Sequence, residues 1–191
     1  MDATLVDRRA LLGGGLLLPL AMTVSPAALA QGADPPLITR LAPLERFLGQ
    51  WRGEGDGQPG RSKVERTYRS VLGGRFMFVR NLSSYAPQES NPQGERHEDQ
   101  GFYSFDRARN RVVLRQFHVE SFFAQYVAAT EVMDGEELVF DSEAIENIPS
   151  GFRARETYRF SGRNAFEEIF ETADPGGDLV LYSRNRLRRV H

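Results

Sequence analysis

With no cysteine in its 191 residues, the chain has no thiolate nucleophile, no disulfide and no cysteine-held metal or cluster. Chemistry falls to three histidines, the carboxylates and the tyrosines. His118 is the most suggestive of these. It stands in "RVVLRQFHV", in register with Val112, Leu114 and Gln116, and the segment "SFFAQYV" follows. Where that face turns inward, His118, Gln116 and Tyr126 set a few convergent polar groups in an apolar pocket, the usual make-up of a small-molecule site. His97 lies in "GERHEDQ", which reads as a charged loop with His97, Glu98 and Asp99 on solvent, so no residue is assigned to a metal. His191, the last residue, reads as frayed.

Constellations for nucleophilic or acid–base catalysis are poorly supported. The chain contains no Gly-x-Ser-x-Gly, no His-Glu-x-x-His and no phosphate-cradling Gly-x-x-x-x-Gly-Lys. Glu167 and Glu168, like Glu136 and Glu137, are adjacent and point to opposite faces of a strand, which unfits them as a carboxylate pair. No catalytic residue is assigned. Two functions from different classes follow: a binding protein for a small hydrophobic or amphipathic molecule, and an enzyme of isomerase or hydrolase type working in the same cavity with His118 as general base. Interior polarity separates them, because His118 with a carboxylate in reach favours catalysis.

At 40% hydrophobic and 26% charged, the chain has the make-up of one globular domain. A net charge of −2 gives no global field to attract nucleic acid. Residues 1–30 read as a signal peptide: Arg8-Arg9 precede the apolar run "ALLGGGLLLPLAM", and "AALAQ" places small residues for cleavage after Ala30. "VDRRALLGGG" is similar to the twin-arginine signal of bacteria, beside the alternative of an ordinary secretory signal. The apolar run is too broken by Gly13, Gly15 and Pro19 to span a membrane comfortably, so the expectation is a periplasmic or secreted protein with no stable membrane insertion once the signal is cleaved. Residues 31–40 read as a linker and 41–191 as the folded domain; nothing in the sequence bears on oligomeric state.

The polar groups need a scaffold, and the punctuation of the chain supplies one. Leu41, Leu44, Phe47 and Leu48 recur at helical spacing and end at Gly49. Beyond it, "VLGGRF", "FDRARNRV", "MDGEEL", "FSGRNAF" and "DPGGDL" put Gly, Asn or Asp between runs rich in Val, Phe, Tyr and Thr. With the Trp51 segment these runs make about ten strands joined mostly by tight turns. As an open sheet they would expose two edges, and closure removes both. The expectation is an all-β, antiparallel up-and-down barrel with a short N-terminal helix; a flattened sandwich is the alternative. Several strands carry polar groups on both faces, which suits a lumen that is partly polar.

The only tryptophan stands in "FLGQWRGEGDG". Trp51 reads as a structural plug, with Gly49, Gly53 and Gly55 letting neighbouring backbone approach and Arg186 or Arg188 capping the indole as a cation. A short helix leading into Gly-x-Trp on the first strand of a meander resembles the calycin superfamily, the lipocalins and fatty-acid-binding proteins. "FLGQWRGEGDG" is closer still to the nitrobindin-like haem-binding barrels, and "VLGGRFMFVRN" and "GFYSFDRARNRVVLRQF" resemble small bacterial lipocalin-like barrels. The resemblance implies a closed barrel with Trp51 and Arg188 at its base. It also implies a haem-binding histidine near the C-terminus, where this chain has Tyr182. Tyrosine binds ferric haem when a cation holds it as phenolate, and Arg184 lies two residues on. Haem is thus a special case of the binding reading, with Tyr182 and Arg184 as its residues, beside the bland reading of a wall tyrosine and a solvated arginine stripe.

Overall fold

A computed structural model describes residues 34–130 and 135–191. The segment read as an export signal, the first part of the linker and part of the "MDGEEL" turn lie outside the described residues.

A 3-10 helix spans Thr39–Phe47, with Pro43 inside it. Its buried residues, Leu41, Leu44 and Phe47, recur every third position, which is the period of a helix with three residues per turn. Ahead of it, Ile38 donates its N–H to the Gly74 carbonyl at 3.0 Å, and Leu37 is buried. The chain therefore touches the barrel before the helix begins.

Ten strands follow among the described residues: β1 (Gly49–Gly57), β2 (Ser62–Val71), β3 (Phe76–Tyr85), β4 (Glu95–Asp106), β5 (Arg111–His118), β6 (Phe123–Ala128), β7 (Glu137–Glu146), β8 (Arg153–Phe160), β9 (Ala165–Ala173) and β10 (Val180–Arg189). Each pairs antiparallel with its neighbour in sequence, and β1 pairs with β10, so the sheet closes into a barrel rather than flattening into the alternative sandwich. Closure pairs the edges that an open meander would leave bare. The turn motifs fall where expected: Leu72, Gly73 and Gly74 turn between β2 and β3, and Asn110 turns into β5, all with positive φ.

Alternation then fixes which residues see the lumen. On β3, Met77, Val79, Asn81 and Ser83 are buried while Phe76, Phe78 and Arg80 alternate outward. On β5, Val112, Leu114 and Gln116 face in. "GERHEDQ" departs from the loop reading: β4 begins at Glu95, so His97 and Asp99 line the lumen, and Glu98 turns out to Arg80 at 2.8 Å. A run that is polar on both faces hides its strand from sequence, because the period of two has no apolar marker.

The end of the barrel beside the 3-10 helix is filled. Phe47 enters it and packs on Tyr68, Tyr158, Phe160 and Phe166, with ring centroids 4.8 to 5.5 Å apart. Trp51 is fully buried, edge-on to Phe166 at 4.7 Å, and donates Nε1–H to the Phe47 carbonyl at 2.6 Å. The cation over the indole is Arg189, 4.2 Å from the ring centroid. It is neither Arg186 nor Arg188. Trp51 stands directly opposite Arg189 in the β1–β10 register and so shares its face, whereas Arg188 lies opposite Arg52 and is exposed. Arg189 also donates to the carbonyls of Leu48 and of Arg46, the latter at 2.8 Å. Gly49 holds φ at 114° under that guanidinium, and a Cβ on Gly53 would stand 1.8 Å from the Arg186 carbonyl oxygen.

Candidate functional site

Above the aromatic plug the lumen changes character. Arg66 on β2, Asn81 on β3, Asp99 on β4, Gln116 on β5, Glu156 on β8, Glu168 on β9 and Asn185 on β10 are all buried and form one polar layer. Arg66 forks onto Glu168, Nη2 to Oε2 at 2.7 Å and Nε to Oε1 at 3.4 Å, and donates to the Leu82 carbonyl at 3.1 Å. Asn185 donates to the same Glu168 oxygen at 2.7 Å. Such burial of charge is tolerated only where pairing and hydrogen bonds are complete.

Asp99 Oδ1 accepts from Asn81 at 2.8 Å and from Gln116 at 3.3 Å. A carboxylate only accepts, so it fixes both amide groups with nitrogen inward and oxygen away. Asn81 Oδ1 and Gln116 Oε1 are consequently buried acceptors without a hydrogen-bond partner among the described residues. Buried polar atoms are nearly always paired, so two lone acceptors on one cavity wall mark a place for donors.

Glu156 is the third element of the layer. Tyr103 donates to the Tyr158 hydroxyl at 3.1 Å, and Tyr158 donates to Glu156. Burial first, and then the nearby Glu168 carboxylate, push the Glu156 carboxyl up to about 8, so it is a neutral acid at pH 7. Arg66, Glu156 and Glu168 escape a reading by composition because charge suggests solvent, although Val64 and Tyr68, Ala154 and Tyr158, and Phe166 and Phe170 mark their faces by the period of two; Asp99 lies in a run with few apolar neighbours, and Asn185 has Leu187 as its marker.

Above the layer lies a cavity of about 480 Å³. Its lining mixes the apolar side chains of Phe122, Ile145, Phe152 and Phe170 with polar groups such as Tyr85, Glu95 and Thr172, and Tyr126 is buried among them. The structure brings His118 and Gln116 from β5 and Tyr126 from β6 together in the cavity lining. His118 stacks on Phe122 with centroids 3.9 Å apart and planes 12° from parallel. Neither of its ring nitrogens has a hydrogen-bond partner among the described residues, and burial pushes its pKa down. His97 beside it meets Glu120 at 2.6 Å and Asp99 at 3.6 Å. Burial opposes charge on His97, but the two carboxylates outweigh it and raise the ring to about 8.

Tyr182 reaches the cavity rim, edge-on to Phe170 at 5.7 Å. Arg184 does not join it. A register shift between Leu181 and Ser183 breaks the alternation that would put both on one face, and Arg184 pairs with Glu167 at 3.5 Å. Burial raises the Tyr182 phenol instead of favouring phenolate. The residues that the haem resemblance singles out therefore do not fit a tyrosinate-held haem.

Among the described residues no helix is long and apolar enough to cross a membrane. No protein-family model matches the chain, and no curated protein sequence does. Solved structures do match. The crystal structure of Rv2717c from M. tuberculosis is 17% identical over 81% of this chain and 99% of its own, with a TM-score of 0.60. A de novo designed fluorescence-activating β-barrel follows at 10% identity, 80% and 100% coverage and a TM-score of 0.41. The barrel EF1p2_mFAP2b, solved bound to DFHBI, stands at 8% identity, 80% and 100% coverage and a TM-score of 0.40. At 17% identity the first likeness is one of fold.

Proposed function

We propose that the protein is an exported calycin-like carrier that holds a small amphipathic molecule in the barrel. The observation that carries this reading is the pair of lone buried acceptors, Asn81 Oδ1 and Gln116 Oε1, facing a cavity lined in part by apolar side chains. The ligand that suits them bears N–H or O–H donors on a polar head set against the Asp99–Gln116 layer. Its apolar body rests on Phe122, Ile145, Phe152 and Phe170 and draws affinity from burial, about 25 cal/mol per Å². Catalysis is the weaker reading, because neither ring nitrogen of His118 meets a carboxylate at hydrogen-bond distance. Export to the periplasm or beyond belongs to the proposal and rests on residues 1–30. Mature protein from the native host then begins at or near Gln31, and an intact Met1 on envelope-derived protein would remove that part.

The deciding experiment is native mass spectrometry of gently purified protein, with extraction and identification of whatever small molecule stays bound. A retained amphipath whose affinity falls at least about tenfold in Gln116→Leu, the loss of one buried hydrogen bond, supports the reading. Protein that carries nothing and binds no environment-sensitive amphipathic dye ends it. A Soret band in the native protein would return the cavity to haem.

A further inference from the structure

Carrier function makes no use of the nitrogen and carboxylate donors at the cavity mouth. His97 Nδ1 and Glu120 Oε1 are 2.6 Å apart. His118 completes a group in which one donor atom from each residue lies within 4.8 Å of the others. The fold assembles it from neighbouring segments. Asp99 is paired with His118 across β4 and β5, so His97, two residues before Asp99, comes level with the turn that holds Glu120.

We propose that this mouth binds one divalent transition-metal ion of the zinc class through His97, His118 and Glu120, with the remaining coordination position turned to the cavity. Four features support it. His118 has both ring nitrogens buried and without partners among the described residues, and the Phe122 stack holds the ring in place. A histidine so placed lacks the acceptor or donor that buried imidazoles ordinarily find. His97 shows Nδ1 to Glu120 and Nε2 to Asp99 at 3.6 Å, so the nitrogen away from the metal has a carboxylate behind it. At 3.6 Å this is an ion-pair contact and longer than a hydrogen bond; shortened on metal binding, it becomes the carboxylate–histidine–metal arrangement that orients a ligating ring. Two imidazoles and one carboxylate make an N₂O donor set, suited to zinc and its neighbours rather than to magnesium or calcium, and three protein ligands leave a position open. Finally, Glu120 is 41% exposed and His97 28% exposed, which gives the ion a way in and leaves Glu120 free to turn. Donors round a tetrahedral ion at metal–ligand distances of about 2.0–2.1 Å sit roughly 3.3 Å apart, so the group, now within 4.8 Å, closes by up to about 1.5 Å around the ion.

The ion alone tests this, independently of any cavity ligand. Untagged, chelator-stripped full-length protein is titrated with Zn²⁺ by calorimetry and with Co²⁺ by visible absorption. The expected result is one equivalent of either ion, with Co²⁺ giving the d–d bands of a low-coordinate nitrogen–oxygen site. His97→Gln and Glu120→Gln, at partly exposed positions, each weaken Zn²⁺ about a hundredfold with the circular dichroism unchanged. Asp99→Asn, acting through His97, weakens it about 10–100-fold and leaves the stoichiometry at one. His118→Ala abolishes the Co²⁺ spectrum; should that variant fail to fold, His97→Gln and Glu120→Gln decide. Absence of stoichiometric binding, or binding that both of those variants leave unchanged, overturns the proposal. A metal-binding protein with no amphipathic ligand would refute the carrier function and leave this site standing.

Discussion

At one end of the barrel Phe47, Trp51 and Phe166 fill the lumen and Arg189 lies across the indole; at the other, His97, His118 and Glu120 stand round a mouth beside unpaired amide oxygens. Both ends bury polar groups, but they satisfy them differently. At the filled end the partners are backbone carbonyls: Phe47 for the indole N–H, Leu48 and Arg46 for the guanidinium. At the mouth and in the layer beneath it, side chains serve side chains, and several atoms are left over. A carbonyl partner is fixed by the fold, so the indole and the guanidinium have one arrangement; Ser70 Oγ, beyond Tyr68 on β2, is a buried atom at this end without a partner among the described residues. Side-chain partners leave capacity for a guest. On the carrier reading proposed above, stability and binding are divided along the barrel axis.

The largest effect belongs to the filled end. Trp51→Ala removes a fully buried indole, its hydrogen bond to Phe47 and the surface under Arg189, and should cost about 3–5 kcal/mol in urea unfolding. Circular dichroism must follow it, because Trp51 is the only tryptophan. Ligand affinity of the molecules that remain folded should hold. A loss under about 1 kcal/mol would deny Trp51 its role as plug.

Next comes the polar layer that joins the two ends. Arg66→Met leaves Glu168 buried without its counter-charge and should cost about 3–5 kcal/mol, while Arg66→Met with Glu168→Leu should regain most of that. A double-mutant cycle on unfolding free energies reads the coupling. Equal losses in the single and double variants would mean that the pair is held for something other than mutual neutralisation.

These positions also mark how far the sequence alone could be read. The Gly- and Asn-bearing turns are visible in the sequence, and β5 alternates with a period of two; on β3 Phe76 and Phe78 are as apolar as Met77 and Val79, so only closure of the sheet decides which pair is inside. Arg66 is different. It lies in "VERTYR", where Glu65 and Arg66 are equally polar, and the cue that Arg66 faces in is its place midway between Val64 and Tyr68, against the ordinary preference of a charge for solvent. Glu168 likewise shares the face of Phe166 and Phe170, while its neighbour Glu167 points away. Arg189 was missed by one residue, since its face depends on a β1–β10 register set between the two ends of the domain. The Tyr182–Arg184 pairing failed through a register shift that no propensity announces. The shared face of Gln116 and His118 is legible because Val112 and Leu114 mark it, and Tyr126 meets them from β6.

Glu156 gives the lumen a pH response that the filled end should lack. Its carboxyl is raised from 4.5 to about 8, so between those values the native state keeps a proton that the unfolded chain releases. Unfolding then releases a proton, and stability falls as pH rises through that window, by at most about 1.4 kcal/mol per pH unit from this group. Below 4.5 both states hold the proton, and above 8 neither does, so the dependence vanishes on both sides. Glu156→Gln should therefore unfold with a shallower pH dependence than the parent between pH 5 and 8 in matched urea titrations. Parallel curves would place the Glu156 titration below that window.

The smallest effect returns to the filled end and separates charge from geometry. Arg189 is at once a cation 4.2 Å over the indole and a planar donor to the carbonyls of Leu48, Arg46 and Arg163. Arg189→Lys keeps the charge but not the fork, because an ammonium is a compact point with rotating donors. It should lose one or two of these hydrogen bonds, each worth about 0.5–1.5 kcal/mol, and keep part of the cation–π term, for a total of about 1–2 kcal/mol. Arg189→Met loses both and should fall further. Trp51 emission stays that of a buried indole in the lysine variant, since Phe166 still packs on the ring and the Phe47 carbonyl still accepts its N–H. Retention of cavity ligand and of Zn²⁺ should match the parent, because Arg189 lies at the opposite end of its strand from Ser183 and the mouth. Weakened ligand or metal binding in Arg189→Lys, at a temperature where the protein stays folded, would show that the two ends are coupled.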